Sequence, residues 1–158
     1  MYLRWIDRLN KVLKIFLVAS LTVMLIALFL QVVLRYLFNY SLSWTAELSR
    51  YLMIWITFVG AAIAVRHNRL IKVEILLLKM PPGMKKGVQI TAAVISFAFY
   101  ILLIVYGISI LQTVKGQHSS ALQLSMAIPY AAIPVGALLM LGNTIAAILD
   151  RGKGARES

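Results

Sequence analysis

The sequence contains no cysteine. Disulfides, thiolate metal sites and cysteine nucleophiles are excluded with it. Charge is also scarce: 13% of the 158 residues are Asp, Glu, Lys or Arg, against about 25% in soluble domains. Acids are scarcest, five against sixteen Lys and Arg. Asp7, Glu74, Asp150 and Glu157 lie near the termini or in a basic connection, where they read as solvated charge. No nucleophile–base–acid set can be assembled from them. Gly152 and Gly154 follow no strand, so no phosphate-binding glycine loop exists. The chain reads as a non-enzyme without a cofactor.

What fills the sequence instead is apolar. Hydrophobic residues make up 61% of the chain, against about 45–50% in soluble domains. A globule in water cannot hide that much apolar surface, so the solvent must be lipid. The expected class is an all-α membrane protein with four transmembrane helices at about 12–34, 47–65, 88–111 and 127–149. About twenty apolar residues, rising about 1.5 Å each, cross a hydrocarbon core about 30 Å thick. Residues 1–150 then form one transmembrane domain, and 151–158 a basic cytoplasmic tail expected to be disordered. The first run is too long for a secretory signal and has no small-residue cleavage site, so it reads as a retained helix.

The basic residues orient the chain. Arg4, Arg8, Lys11 and Lys14 precede the first run, and Arg66, Arg69, Lys72, Lys79, Lys85 and Lys86 fill the second connection. Arg151, Lys153 and Arg156 lie in the tail, whereas the first and third connections hold only Arg35 and Lys115. Short basic connections stay cytoplasmic. Both termini and the middle connection are therefore expected inside, as an even number of crossings requires. Positive charge gathered at the ends of apolar runs, with no stripe or basic face, excludes nucleic acid as a partner. His67 and His118 fall in connections on opposite sides and cannot share a metal or haem.

Two segments look amphipathic. Residues 2–13 are expected either as an interfacial arm or as a plain extension of the first helix. Residues 69–79, cut off by Pro81-Pro82-Gly83, are expected to lie as an arm in the membrane interface. Pro129 suits the first turn of the fourth helix, and Pro134 should kink it. Gly60 and Ala64, Ala132 and Gly136, and Gly142 and Ala146 are pairs of small residues four apart, which let helices approach closely. Paired broken helices, which point to a transporter's own substrate site, are missing.

One constellation stands out at the start of the second helix: Trp44, Glu47, Arg50, Tyr51 and Trp55. Glu47 and Arg50 are three apart and can touch on a helix. Charge within a membrane segment is costly and faces protein or water. A local ion pair is one reading; a contact with a partner subunit or a lipid headgroup is the other.

Three stretches carry a family resemblance. The first is Gln31-Val32-Val33-Leu34-Arg35-Tyr36, followed by Trp44-Thr45-Ala46-Glu47-Leu48-Ser49-Arg50-Tyr51-Leu52. The second is Gly60-Ala61-Ala62, followed by Ile71-Lys72-Val73-Glu74. The third is Ser120-Ala121-Leu122, followed by Ile128-Pro129-Tyr130-Ala131-Ala132-Ile133-Pro134-Val135-Gly136. Their order and spacing resemble the small membrane subunit (DctQ-like or SiaQ-like) of tripartite ATP-independent periplasmic (TRAP) transporters over nearly the whole chain. Arg69-Leu70 stand where the family often has Gly-His, and Ser125 where a proline is common.

The resemblance implies a scaffold subunit of the bacterial or archaeal cytoplasmic (inner) membrane. It would brace a large multispanning subunit that carries substrate by an elevator motion. A periplasmic binding protein would deliver an organic acid (a dicarboxylate, keto acid, sugar acid or sialic acid), and sodium would drive uptake. Membrane lipids and those two proteins are the implied partners. Candidate subunit or lipid contacts are Arg35, Trp44, Glu47, Arg50, Tyr51, Trp55, Gly60, Ala64, Pro129, Pro134 and Gly136. The rival is a self-sufficient small transporter of four helices acting as a homo-oligomer, similar in size to small multidrug exporters. Those rely on an acid embedded in the first helix, and residues 12–34 hold none.

The charge asymmetry is directly testable in a chain free of cysteine. A cysteine placed at Gln117 should react with an impermeant thiol reagent on intact cells, and one placed at Gly154 should not. Labelling at 154 alone would invert the orientation.

Overall fold

The computed structural model describes residues 2–40, 42–66 and 82–154. The arm expected at 69–79 lies outside them. Among the described residues five helices follow in order: α1 (Tyr2–Leu37), α2 (Ser43–Arg66), α3 (Pro82–Val114), the single turn α4 (Ala127–Tyr130) and α5 (Ala132–Gly154). Four spans are long and apolar enough to cross a membrane: Arg4–Leu37, Ser43–Arg66, Gly87–Val114 and Ala127–Leu149. The four-helix expectation therefore holds.

The segment at 2–13 continues α1 without a break, the plainer of its two readings. No glycine occurs before Gly60 and no proline before Pro81, so nothing interrupts propagation once a helix has nucleated. α1 ends where Asn39 turns left-handed (φ 51°), a conformation that asparagine tolerates. The Tyr40 N–H then returns to the Leu34 carbonyl at 3.1 Å. At the other terminus the backbone of α5 runs on through residues 151–154, so the first half of the expected tail is helical.

The helices form an open row. α1 packs on α2, α2 on α5, and α5 on α3. α5 is the centre: 39% of its span is buried, against 11% for the spans in α1 and α3. Its sequence explains this. Ala132, Pro134, Gly136, Ala137, Ala146 and Ala147 are all buried, and small side chains let neighbouring backbones come close. A Cβ on Gly136 would lie 2.6 Å from Phe58 Cβ of α2, and one on Gly107 of α3 would lie 2.9 Å from Pro134 Cδ. α5 is thus gripped on two sides at nearly the same level.

In the fourth span a single residue, Ala131, separates α4 from α5, and its backbone stays right-handed helical (φ −61°, ψ −23°). Proline at 134 has no N–H to give the carbonyl of residue 130. Helical bonding is carried around that gap by Ala131 N–H to Ala127 O (2.9 Å) and Val135 N–H to Ala131 O (3.2 Å).

α1 attaches by a narrow seam. Ile6, Asn10, Leu13, Leu17, Ser20, Met24, Ala27, Gln31 and Leu34 are buried or half-buried, alternating four and three apart. That is the 3.5-residue repeat of a left-handed helix pair. Near one end of the seam Asn10 meets Asn143 of α5. Each amide donates to the other's oxygen, at 2.7 and 3.1 Å. The second N–H of Asn143 donates to the Ala62 carbonyl of α2 at 2.7 Å, and that of Asn10 to the Ile6 carbonyl at 2.9 Å. All four amide hydrogens are used, and both residues are 3% exposed. At the same end Arg66 of α2 donates through Nε and Nη2 to Asp7 Oδ1 of α1, at 3.1 and 2.9 Å.

The grip on α5 gives a quantitative expectation. Gly136→Ala pushes a methyl into Phe58, with little room to relax between two helices, and should cost about 1–3 kcal/mol, as overpacking does. Gly116→Ala, where a Cβ meets nothing within 4 Å, should be silent. Thermal unfolding in detergent checks both; a silent Gly136→Ala would contradict the close α2–α5 approach.

Candidate subunit-contact site

The connection from α3 to α4 folds as a small hairpin. Ser119 N–H donates to Leu124 O and Met126 N–H to Gln117 O, both at 2.9 Å. His118 bridges Ser125 in antiparallel fashion, and Gln123 takes a left-handed φ of 54° to close the turn. The tip turns several donors toward α2. Such a concavity of N–H groups binds an anion, and Glu47 supplies it. Its carboxylate accepts from Ser120 Oγ at 2.8 Å, from Ala121 N–H at 3.1 and 3.2 Å, and from Leu122 N–H at 3.0 Å. A side chain in the second turn of α2 thereby holds a loop more than seventy residues away. Beside it, the buried Tyr51 hydroxyl donates to Met126 Sδ at 3.5 Å, and the fully buried Thr45 donates to Leu42 O at 2.7 Å.

Glu47 and Arg50 form no ion pair. The carboxylate is taken by the hairpin, and Arg50 is exposed. It stands on a stripe of α2 with Ser43, Ala46, Met53 and Thr57, all exposed and spaced three or four apart. That stripe faces away from the packed side of the helix. Thr57 satisfies its hydroxyl on the Met53 carbonyl at 2.8 Å, so Arg50 is the one charge on this face.

The eleven sequence candidates divide by placement. Glu47 and Tyr51 secure the hairpin. Trp55 packs edge-on against Phe16 of α1, with ring centroids 6.3 Å apart. Gly60 faces Leu17 of α1, Pro134 faces Gly107, and Gly136 faces Phe58. Pro129 is fully buried and Ala64 half-buried. Arg35, Trp44 and Arg50 remain exposed. Sequence reasoning passed over Asn10, Asn143, Gly107 and the Asp7–Arg66 pair. The two asparagines had a usable signal, since each is an amide standing among apolar positions of its helix.

An open row of long apolar helices, with Glu47, Asn10 and Asn143 engaged in holding its own parts together, is the architecture of a membrane protein. Comparison with known proteins agrees. The family of tripartite ATP-independent periplasmic transporters, DctQ component, matches residues 24–153, and the chain belongs to it. It is a TRAP transporter small permease subunit, a multi-pass protein of the inner membrane, in a family of transporter components rather than enzymes.

A TRAP transporter small permease protein of Haemophilus influenzae is 47% identical over 74 residues, 47% of this chain and 46% of that protein. The C4-dicarboxylate TRAP transporter small permease protein DctQ of Vibrio cholerae is 29% identical over 99 residues, 63% of this chain and 41% of that one. The isethionate TRAP transporter permease protein DctMQ of Oleidesulfovibrio alaskensis is 27% identical over 146 residues, covering 87% of this chain but 23% of that protein. The matches thus span half or less of the length of each of these relatives.

Proposed function

We propose that this chain braces a larger membrane subunit in a sodium-coupled TRAP transporter that imports an organic acid, and that it binds no substrate itself. The observation that carries this reading is where its polar side chains go. Asn10 and Asn143 are closed on each other and on backbone carbonyls. Ser96 and Thr144 donate to the carbonyls four residues earlier, each at 2.8 Å. Glu47 is closed on the hairpin. These groups are engaged within the chain rather than open to a solute, and among the described residues the buried side chains left without a partner are the two hydroxyls of Ser49 and Ser119.

The long DctMQ relative, most of which lies outside the matched region, supports a large membrane partner. A dicarboxylate, keto acid, sugar acid or sialic acid is the proposed cargo class, and a periplasmic binding protein the proposed donor. Both termini are proposed to be cytoplasmic, which puts the Glu47 hairpin on the periplasmic side.

Within this reading Arg50 is an intersubunit or headgroup contact. A guanidinium does not lose its charge, and no carboxylate of this chain pairs with it among the described residues. Arg50→Ala should lower both co-purification with the large subunit and uptake by the complex several-fold. Glu47→Gln should loosen the hairpin and affect assembly less. Recovery of both proteins after affinity purification, with uptake in the same cells, checks this. Failure of any larger membrane protein to co-purify with the unaltered chain would contradict the bracing role.

A further inference from the structure

The outward faces of α1 and α3 are equally unburied but differ chemically. On α1 the exposed residues between Val12 and Val32 are apolar except for Lys14 at the edge and Thr22. Thr22 satisfies its hydroxyl on the Val18 carbonyl at 2.9 Å. On α3 the exposed line Ile95, Phe99, Leu102, Tyr106, Ser109 and Thr113, alternating four and three apart, becomes polar in its C-terminal half. Thr113 bonds back to the Ser109 carbonyl at 3.1 Å. The hydroxyls of Tyr106 and Ser109 have no partner among the described residues, although Thr22, Thr57, Ser96 and Thr144 all use the carbonyl four residues earlier.

Depth makes these two hydroxyls informative. Tyr106 is eight residues from the end of α3 at Val114, about 12 Å at a rise of about 1.5 Å per residue. The span Gly87–Val114 has 28 residues, about 42 Å, so a hydrocarbon core of about 30 Å leaves only about 6 Å at each end. Tyrosine near an interface ordinarily lifts its hydroxyl to the headgroups. A helical side chain leans toward the helix N-terminus, and from position 106 that direction is the bilayer midplane. The 65% exposed Tyr106 therefore leaves α3 about 6 Å inside the hydrocarbon core, where lipid offers a hydroxyl no partner and the lean of a helical side chain does not favour the nearer interface.

We propose that this line of α3, centred on Tyr106 and Ser109, is where the chain meets a transmembrane helix of its larger partner. The partner helix would present a carbonyl or side-chain oxygen to the Tyr106 hydroxyl. The seven-residue periodicity of the line suits a helix running nearly alongside α3. The apolar outer face of α1 is then left to lipid. This surface rests on the bracing role, and its failure can be told apart from the failure of that role.

The test places the photocrosslinker p-benzoylphenylalanine at position 102 or 106 on α3, and at 25 or 29 on α1, in the chain expressed with its partner in native membranes. Irradiation should join positions 102 and 106, and neither 25 nor 29, to the multispanning protein that co-purifies with the chain. Tyr106→Phe should reduce recovery of the complex several-fold while leaving thermal unfolding of the isolated chain unchanged, because the hydroxyl has no partner within it. Adducts to the large protein from α1 alone would overturn this surface and leave the bracing role intact. Adducts from 106 to a second copy of this chain, no adduct from 106, or a Tyr106→Phe complex recovered in full would also overturn it. Absence of any co-purifying larger protein would overturn the role and the surface together.

Discussion

Two amides facing each other inside the bundle fix how its helices are assembled. Asn10 of α1 and Asn143 of α5 exchange hydrogen bonds, and Asn143 adds a third helix through the Ala62 carbonyl. Hydrogen bonds between membrane helices average only about 0.6 kcal/mol in a well-measured case, so the pair is not a major source of stability. Its consequence is register. The α1 seam is otherwise a repeat of mostly apolar positions along which the helix could slide by a heptad at little packing cost. A slide would bring an apolar residue against Asn143 and leave amides without partners in a site closed to water, which is costly. Single polar residues at seam positions specify register in this way. The Asp7–Arg66 pair lies at the same end, and the Glu47 hairpin ties the other, so the row is held polar at both ends and packed apolar between.

That arrangement bears on function. A row pinned at both ends, with its central helix gripped through Gly136 and Gly107, has few ways to change shape. Such a row suits the proposed bracing role. Its exposed faces suit contact with lipid, and its two buried amides, Asn10 and Asn143, are closed on each other. How the interior is spent supports the proposed bracing role independently of the family match.

Much of this was readable in the sequence, and the misses share a physical cause. Four spans follow from run length alone, and the crowding of α5 from its alanines, glycines and prolines. The seam of α1 was not readable from apolar periodicity, because lipid on its outer face demands apolar residues there too and the contrast that marks a core in water disappears. The seam is marked instead by Asn10, Ser20 and Gln31. Glu47 was recognised, but its partner was not. Backbone N–H groups of a distant loop leave no signature, whereas Arg50, one turn away, looked like the natural counter-charge.

The most direct test of bracing over transport is reconstitution. The purified chain alone, placed in liposomes under an inward sodium gradient with labelled C4-dicarboxylate, keto acid or sialic acid outside, should give no uptake above empty vesicles. Adding the large subunit and the binding protein should restore uptake for one class of cargo. Saturable uptake by the lone chain would contradict the bracing role and establish it as a transporter in its own right.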